Sequence, residues 1–134
     1  MKNTAELKHE LDCARYIAKE KAIYEPIERD YEVEIIVLPN DIPVRGNAIV
    51  SGDDDFDAQV ENEIIARLES GDVWAWAAVE VKVSKWGHTE SEFLGSCSYA
   101  DEEDFKTGGY YTDMLETCVE RILAAIESDQ PGEH

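Results

Sequence analysis

The chain has 134 residues, 43% of them hydrophobic, and a formal net charge of −19 from 31 acidic against 12 basic side chains. That length serves one domain, read as residues 1 to 134, with a single modest core, and the hydrophobic share excludes global disorder. A field of this sign repels phosphate, which excludes direct binding to DNA, RNA or an anionic membrane and favours encounter with basic surfaces.

The charge is unevenly distributed. Residues 1 to 29 hold six acids (Glu6, Glu10, Asp12, Glu20, Glu25, Glu28) and six bases (Lys2, Lys8, Arg15, Lys19, Lys21, Arg29), so the whole −19 lies after Arg29. No apolar run reaches the roughly 18 residues that span a bilayer, and the polar start "MKNTAELKHELD" is unlike a secretory leader. A soluble cytoplasmic protein is expected. Cys13, Cys97 and Cys118 are odd in number and widely separated, which suits reduced thiols better than a disulfide framework or a zinc site.

"TAELKHELDCARYIAKEKAIY", residues 4 to 24, is rich in helix formers with a narrow stripe at Leu7, Leu11, Ala14, Ile17 and Ala18. It predicts a peripheral N-terminal helix within residues 1 to 25, stopped by Pro26. "YEVEIIVLPN" alternates as a strand until Pro39 and Asn40, and "DIPVRGNAIVSG" is expected to be mostly loop because Pro43 and Gly46 oppose a strand. Phe56, Val60, Ile64, Ile65 and Leu68 recur at helical spacing and end at Ser70-Gly71, predicting a second helix. "DVWAWAAVEVKVSKW" alternates throughout: Val73, Ala75, Ala77, Val79, Val81 and Val83 face one way, with Trp74, Trp76 and, further along, Trp86 on the other face. The glycine in "KWGHTE" predicts a hairpin into an antiparallel strand "SEFLGSCSY". Tyr111, Leu115, Cys118, Val119, Ile122 and Ile126 mark one side of a long C-terminal helix, with residues 128 to 134 as a frayed tail. The expected fold class is α+β: a small, mainly antiparallel sheet of three or four strands with helices on one face, in the order α-β-α-β-β-α.

The densest motif is "SGDDDFDAQVENEI". Asp53, Asp55 and Asp57 match the first three ligand positions of a calcium loop, but its glycine and its bidentate glutamate are replaced by Ala58 and Ile64. Helix capping by Ser51 or an aspartate, with Asp54 and its neighbours complementing the helix dipole, explains the cluster's position. "DEEDF", from Asp101 and Glu102 to Phe105, repeats that logic before the C-terminal helix. Three enzyme-like fragments are incomplete. His88, Glu90 and Cys97 lack the Pro-Cys-x-x-Cys of zinc deaminases, "GSCSY" lacks the second glycine of a nucleophile elbow, and "KTGGYY" lacks a strand-to-helix phosphate loop. No catalytic residue, metal ligand or cofactor is assigned from them.

Two patterns remain for binding. Asp113, Glu116, Glu120 and Glu127 fall at offsets that gather them on one side of the C-terminal helix, a row about 21 Å long at 1.5 Å per residue. Such a row is either an ordinary solvated face or an imitation of phosphate backbone that occupies a basic channel. Trp74 and Trp76 form either a second small core under the N-terminal helix or an exposed patch for a partner or homodimer.

The succession "DIPVRGNAIVSGDDDFD", "GDVWAWAAVEVKV", "FLGSCSYADEEDF" and "GGYYTDM" resembles a group of small acidic proteins encoded by phages and other mobile elements, over roughly residues 30 to 126. The group has no catalytic motif to transfer. The resemblance implies a setting in which such proteins inhibit host defence, including anti-restriction and anti-CRISPR inhibitors that mimic DNA.

The leading expectation is a non-enzymatic inhibitor whose partner is a basic nucleic-acid-binding host protein or complex. Its expected contact residues are Asp53, Asp54, Asp55, Asp57, Glu61, Asp101, Glu102, Asp113, Glu116 and Glu120, with Trp74 and Trp76 as apolar anchors. A ligand-binding or homo-oligomeric module using the tryptophan face is the alternative, and a divalent-metal-dependent enzyme built on converging carboxylates is a third reading.

Overall fold

The computed structural model describes residues 3 to 128. In chain order the elements are α1 (Thr4–Asp30), β1 (Glu32–Pro39), α2 (Asp54–Glu69), a single 3-10 turn (Val73–Ala75), β2 (Ala77–Lys85), β3 (His88–Cys97), α3 (Glu102–Lys106) and α4 (Tyr110–Ser128). The α+β order is the expected one, with a three-stranded antiparallel sheet in the order β1-β2-β3. Residues 40 to 53 form a loop and no strand, as Pro43 and Gly46 predict.

β2 is central because its inward residues are uniformly apolar and branched or small. Val79, Val81 and Val83 are buried, and so are Tyr111, Leu115, Cys118 and Ile122 on the facing side of α4. Each such side chain contributes about 1.5–3 kcal/mol by leaving water. The C-terminal part of α1 and the short α3 complete this face through Tyr24 and Phe105. β2 turns into β3 through Trp86-Gly87, where φ is +51° and +81°. Two successive positive φ values characterise the tight turn whose twist suits a hairpin. A second, smaller cluster of Val44, Ile64, Ala75 and Trp76 lies under α2, and Arg67 ties that helix to the main body, 2.8 Å from Asp72 and 2.6 Å from the Tyr99 carbonyl.

Three local expectations are corrected. α1 passes through Pro26 and ends four residues later. Proline removes one backbone donor, and the last turn is held from outside the helix: Tyr24 meets Tyr111 edge-on at 5.3 Å, Ile27 packs on the core, and Glu28 binds both Tyr111 and Lys106. Residues 73 to 75 are a turn and not the start of the strand. The Asp72 carboxylate accepts from the Trp74 N–H, and the Ala75 N–H donates to the Asp72 carbonyl, which closes a helical turn. Trp74 and Trp76 therefore do not share a sheet face. Finally, "DEEDF" forms its own short helix, α3, capped by Asp101, and Gly109 at φ +103° breaks the chain before α4. Of the expected tail, Ser128 is instead the last residue of α4, and residues 129 to 134 lie outside the described residues. Among the described residues no helix is long and apolar enough to cross a membrane.

Candidate functional site

The amphipathic pattern of α4 presses one side onto the sheet and leaves another in water. At 100° per residue, Asp113, Glu116, Glu120 and Glu127 lie within roughly 60° of one another, well away from the buried line through Leu115 and Ile122. All four are exposed, and none takes part in an ion pair among the described residues. The single arginine of the helix, Arg121, is on the opposite flank and pairs with Glu92 of β3 at 2.7 Å, so it does not neutralise the row. Axial steps along the row are about 4.5, 6 and 10.5 Å, sparser than the 3.4 Å per phosphate of one DNA strand. The row matches phosphate in sign and linearity, not in register.

The N-terminal end of the row is fixed by contacts that capping rules do not supply. Thr112 donates its hydroxyl to Glu20 of α1, and Tyr16, Glu20, Gly109 and Asp113 line a common depression. The Tyr16 phenol is held above its ordinary pKa, first by partial removal from water and then by the Glu20 and Asp113 carboxylates. Nearby, the Glu28 carboxylate accepts from the Tyr111 hydroxyl at 2.6 Å and lies 2.8 Å from the Lys106 ammonium. That trio locks α1, α3 and the first turn of α4 together.

The remaining expected contact residues are placed differently. Asp53 caps α2 by accepting from the Phe56 N–H, and Asp57 accepts from both the backbone and the hydroxyl of Ser51. Asp101 caps α3 through the Asp104 N–H. Asp54, Asp55 and Glu102 are exposed in first helical turns, where they complement the helix dipole. Glu61 is a correction: it is 8% exposed, accepts from the Gly46 N–H at 2.7 Å and lies 3.5 Å from Arg45, so it anchors the loop before α2. Trp76 is a second correction. It is 4% exposed and its indole N–H donates to the Ile42 carbonyl at 2.6 Å, which makes it the centre of the small cluster and not a surface anchor. Trp74 is half-buried against Tyr99 and Phe105 in the main core.

The incomplete enzyme fragments are also dispersed. His88 and Cys97 begin and end β3, about 30 Å apart at 3.3 Å per residue. The Cys97 thiol donates to the Ala77 carbonyl, and burial pushes it up from its ordinary pKa. Lys106 ends α3 in the ion pair with Glu28. The first aspartates belong to a helix and its cap instead of a cation loop, and among the described residues no group of three or more His, Cys, Asp or Glu converges as metal ligands would.

Sequence reasoning missed an open cleft of about 540 Å³ at the hairpin tip, lined by residues 29 to 32 and 84 to 89. Here the Lys85 ammonium lies 4.4 Å from the Tyr31 ring centroid and 4.3 Å from that of Trp86, which is itself 66% exposed. The signal available in the sequence was Trp-Gly between two alternating runs, which puts a bulky side chain at a turn.

No family model, curated protein or solved structure matches this chain.

Proposed function

We propose that this protein is a non-enzymatic acidic binder that occupies a basic, nucleic-acid-handling surface of another protein and thereby excludes DNA or RNA from it. The observation that carries the reading is the exposed, unneutralised row Asp113, Glu116, Glu120 and Glu127 on a rigid helix, in a chain whose net charge is −19. A row on a packed helix costs little ordering on binding, and a basic partner is drawn to it over a long range at low salt. Asp54, Asp55 and Glu102 extend the same field on other helix starts. The resemblance to small acidic proteins of mobile elements suggests a host defence complex as the target and inhibition as the outcome.

The test is affinity capture on immobilised protein from a bacterial lysate, followed by elution with duplex DNA and, separately, with salt. A partner bound through a phosphate-binding surface is released by both. Asp113→Lys/Glu116→Lys/Glu120→Lys should retain the fold, because all three positions are exposed, and lose that partner. If the charge-reversed protein still holds the partner, or DNA fails to compete, phosphate imitation by α4 is wrong.

A further inference from the structure

Residues 4 to 19 of α1 are all exposed. At 1.5 Å per residue this arm spans about 24 Å, with Tyr16 lining the depression beside Gly109, and a helix this exposed is marginal in water unless something packs against it. The arm carries an apolar line that the body does not use. Measured around the helix from Tyr24, which faces the core, Leu7, Leu11, Ala14 and Ala18 lie at roughly 80–140°. Leu7 and Leu11 are 53% and 50% exposed. Their spacing of four, three and four residues is that of a two-stranded coiled-coil seam.

Charge identifies the occupant. The chain up to Arg29 balances six acids with six bases, whereas everything beyond carries the full −19. The arm is therefore the part of the molecule that two copies can bring together without opposing like net charge. One flank of the seam presents Lys8 and Arg15, and the other presents Glu10. In a parallel, in-register pair, Glu10 of one arm stands opposite Arg15 of the second copy, at the paired positions that set orientation in coiled coils. An antiparallel pair would set the basic flanks against each other.

We propose that the protein self-associates through this arm as a parallel helix pair seamed by Leu7, Leu11, Ala14 and Ala18. Both acidic bodies then project from one end of the pair, where their like charge opposes the association at low salt, and the assembly carries two copies of the α4 row. The association does not depend on the identity of any target.

Sedimentation equilibrium of the full chain across a concentration series reads it directly. Wild type should show a concentration-dependent monomer–dimer equilibrium, and Leu7→Gln/Leu11→Gln should weaken it by more than about tenfold. Glu10→Lys makes both flanks basic, and Lys8→Glu/Arg15→Glu makes both acidic. Each should be monomeric alone, and an equimolar mixture should recover the dimer, which a mere loss of folding could not do. Orientation is read by Leu7→Cys in a Cys13→Ser background: oxidation should link two chains through the introduced thiols. A wild type that stays monomeric throughout, a dimer indifferent to the charge swaps, or a dimer without that cross-link would each overturn the proposal.

Discussion

Tyr111 is fully buried, yet its hydroxyl has a defined partner in Glu28 at 2.6 Å. Removal from water, and then the hydrogen bond to that carboxylate, hold its phenol far above the ordinary range. Tyr24, stacked edge-on against it, is pushed from 10.0 up to about 12, by burial first and then by Glu103 and Glu28. Both phenols keep their proton in the folded state at a pH where the unfolded chain releases it. Their contribution to stability is thus complete below the unfolded value near 10; that of Tyr24 is lost as pH rises through about 12, and that of Tyr111 persists to higher pH. The unfolding temperature should be flat up to pH 10 on this account and fall beyond it. Tyr24→Phe/Tyr111→Phe should flatten that alkaline fall, while Tyr111→Phe at neutral pH costs about 0.5–1.5 kcal/mol for the lost hydrogen bond. An unchanged fall in the double variant would assign it to other groups.

At the scale of elements, α1 is continuous through a residue that ordinarily ends a helix. A proline in a helix interior costs about 3 kcal/mol through the lost bond and the clash with the preceding turn. Against this stand the contacts of Tyr24, Ile27 and Glu28, which hold the final turn from outside the helix. Pro26→Ala should therefore stabilise the protein. Proline's restriction of the unfolded chain, worth about 0.4–1 kcal/mol, offsets part of the gain, so the net is about 2–2.6 kcal/mol. A higher midpoint in urea with an unchanged slope checks this. A lower midpoint would mean that the ring of Pro26 itself is a packing element. α2 and α3 obey simpler rules, since Asp53 and Asp101 each satisfy an N-terminal amide and the neighbouring acids sit at the positive end of the helix.

For the whole molecule, one field has two consequences of opposite sign. Self-repulsion among charges summing to −19 destabilises the compact state, and the same charge attracts a basic partner. Raising salt from about 0.02 to about 0.5 M shortens the screening length from roughly 20 to 4 Å. The unfolding temperature should rise over that range while binding to a basic surface weakens. A melting temperature that falls with salt would show that the ion pairs Arg67–Asp72, Lys106–Glu28 and Arg121–Glu92 outweigh the repulsion. Four of the six basic residues after Arg29, namely Arg45, Arg67, Lys106 and Arg121, are spent on ion pairs with acids of other segments.

Patterns of short period are legible in the amino-acid sequence. The valines of β2, the apolar line of α4 and the acid row beside it depend only on a repeat of two or 3.6 residues, so periodicity locates the core, the sheet and the candidate interface together. Capping is legible for the same reason, because an aspartate three residues before its amide is a local relation. The expectations that failed rested on partners distant in sequence, except at residues 73 to 75, where a local Asp72 cap competes with the strand alternation. Extending the β2 alternation backwards puts Trp74 and Trp76 on one face, but Asp72 closes a turn there, and the two indoles enter different clusters whose other walls come from residues 42 to 64 and 99 to 105. Glu61 carries a charge that usually stays in water, and it is buried because Gly46 and Arg45 meet it from another segment. The elements and the sign of the field follow from neighbours along the chain, and the order of residues is enough to specify both. Which acids remain free to bind and which are spent on holding the fold depends on what packs against each carboxylate, and the tertiary arrangement alone makes that choice.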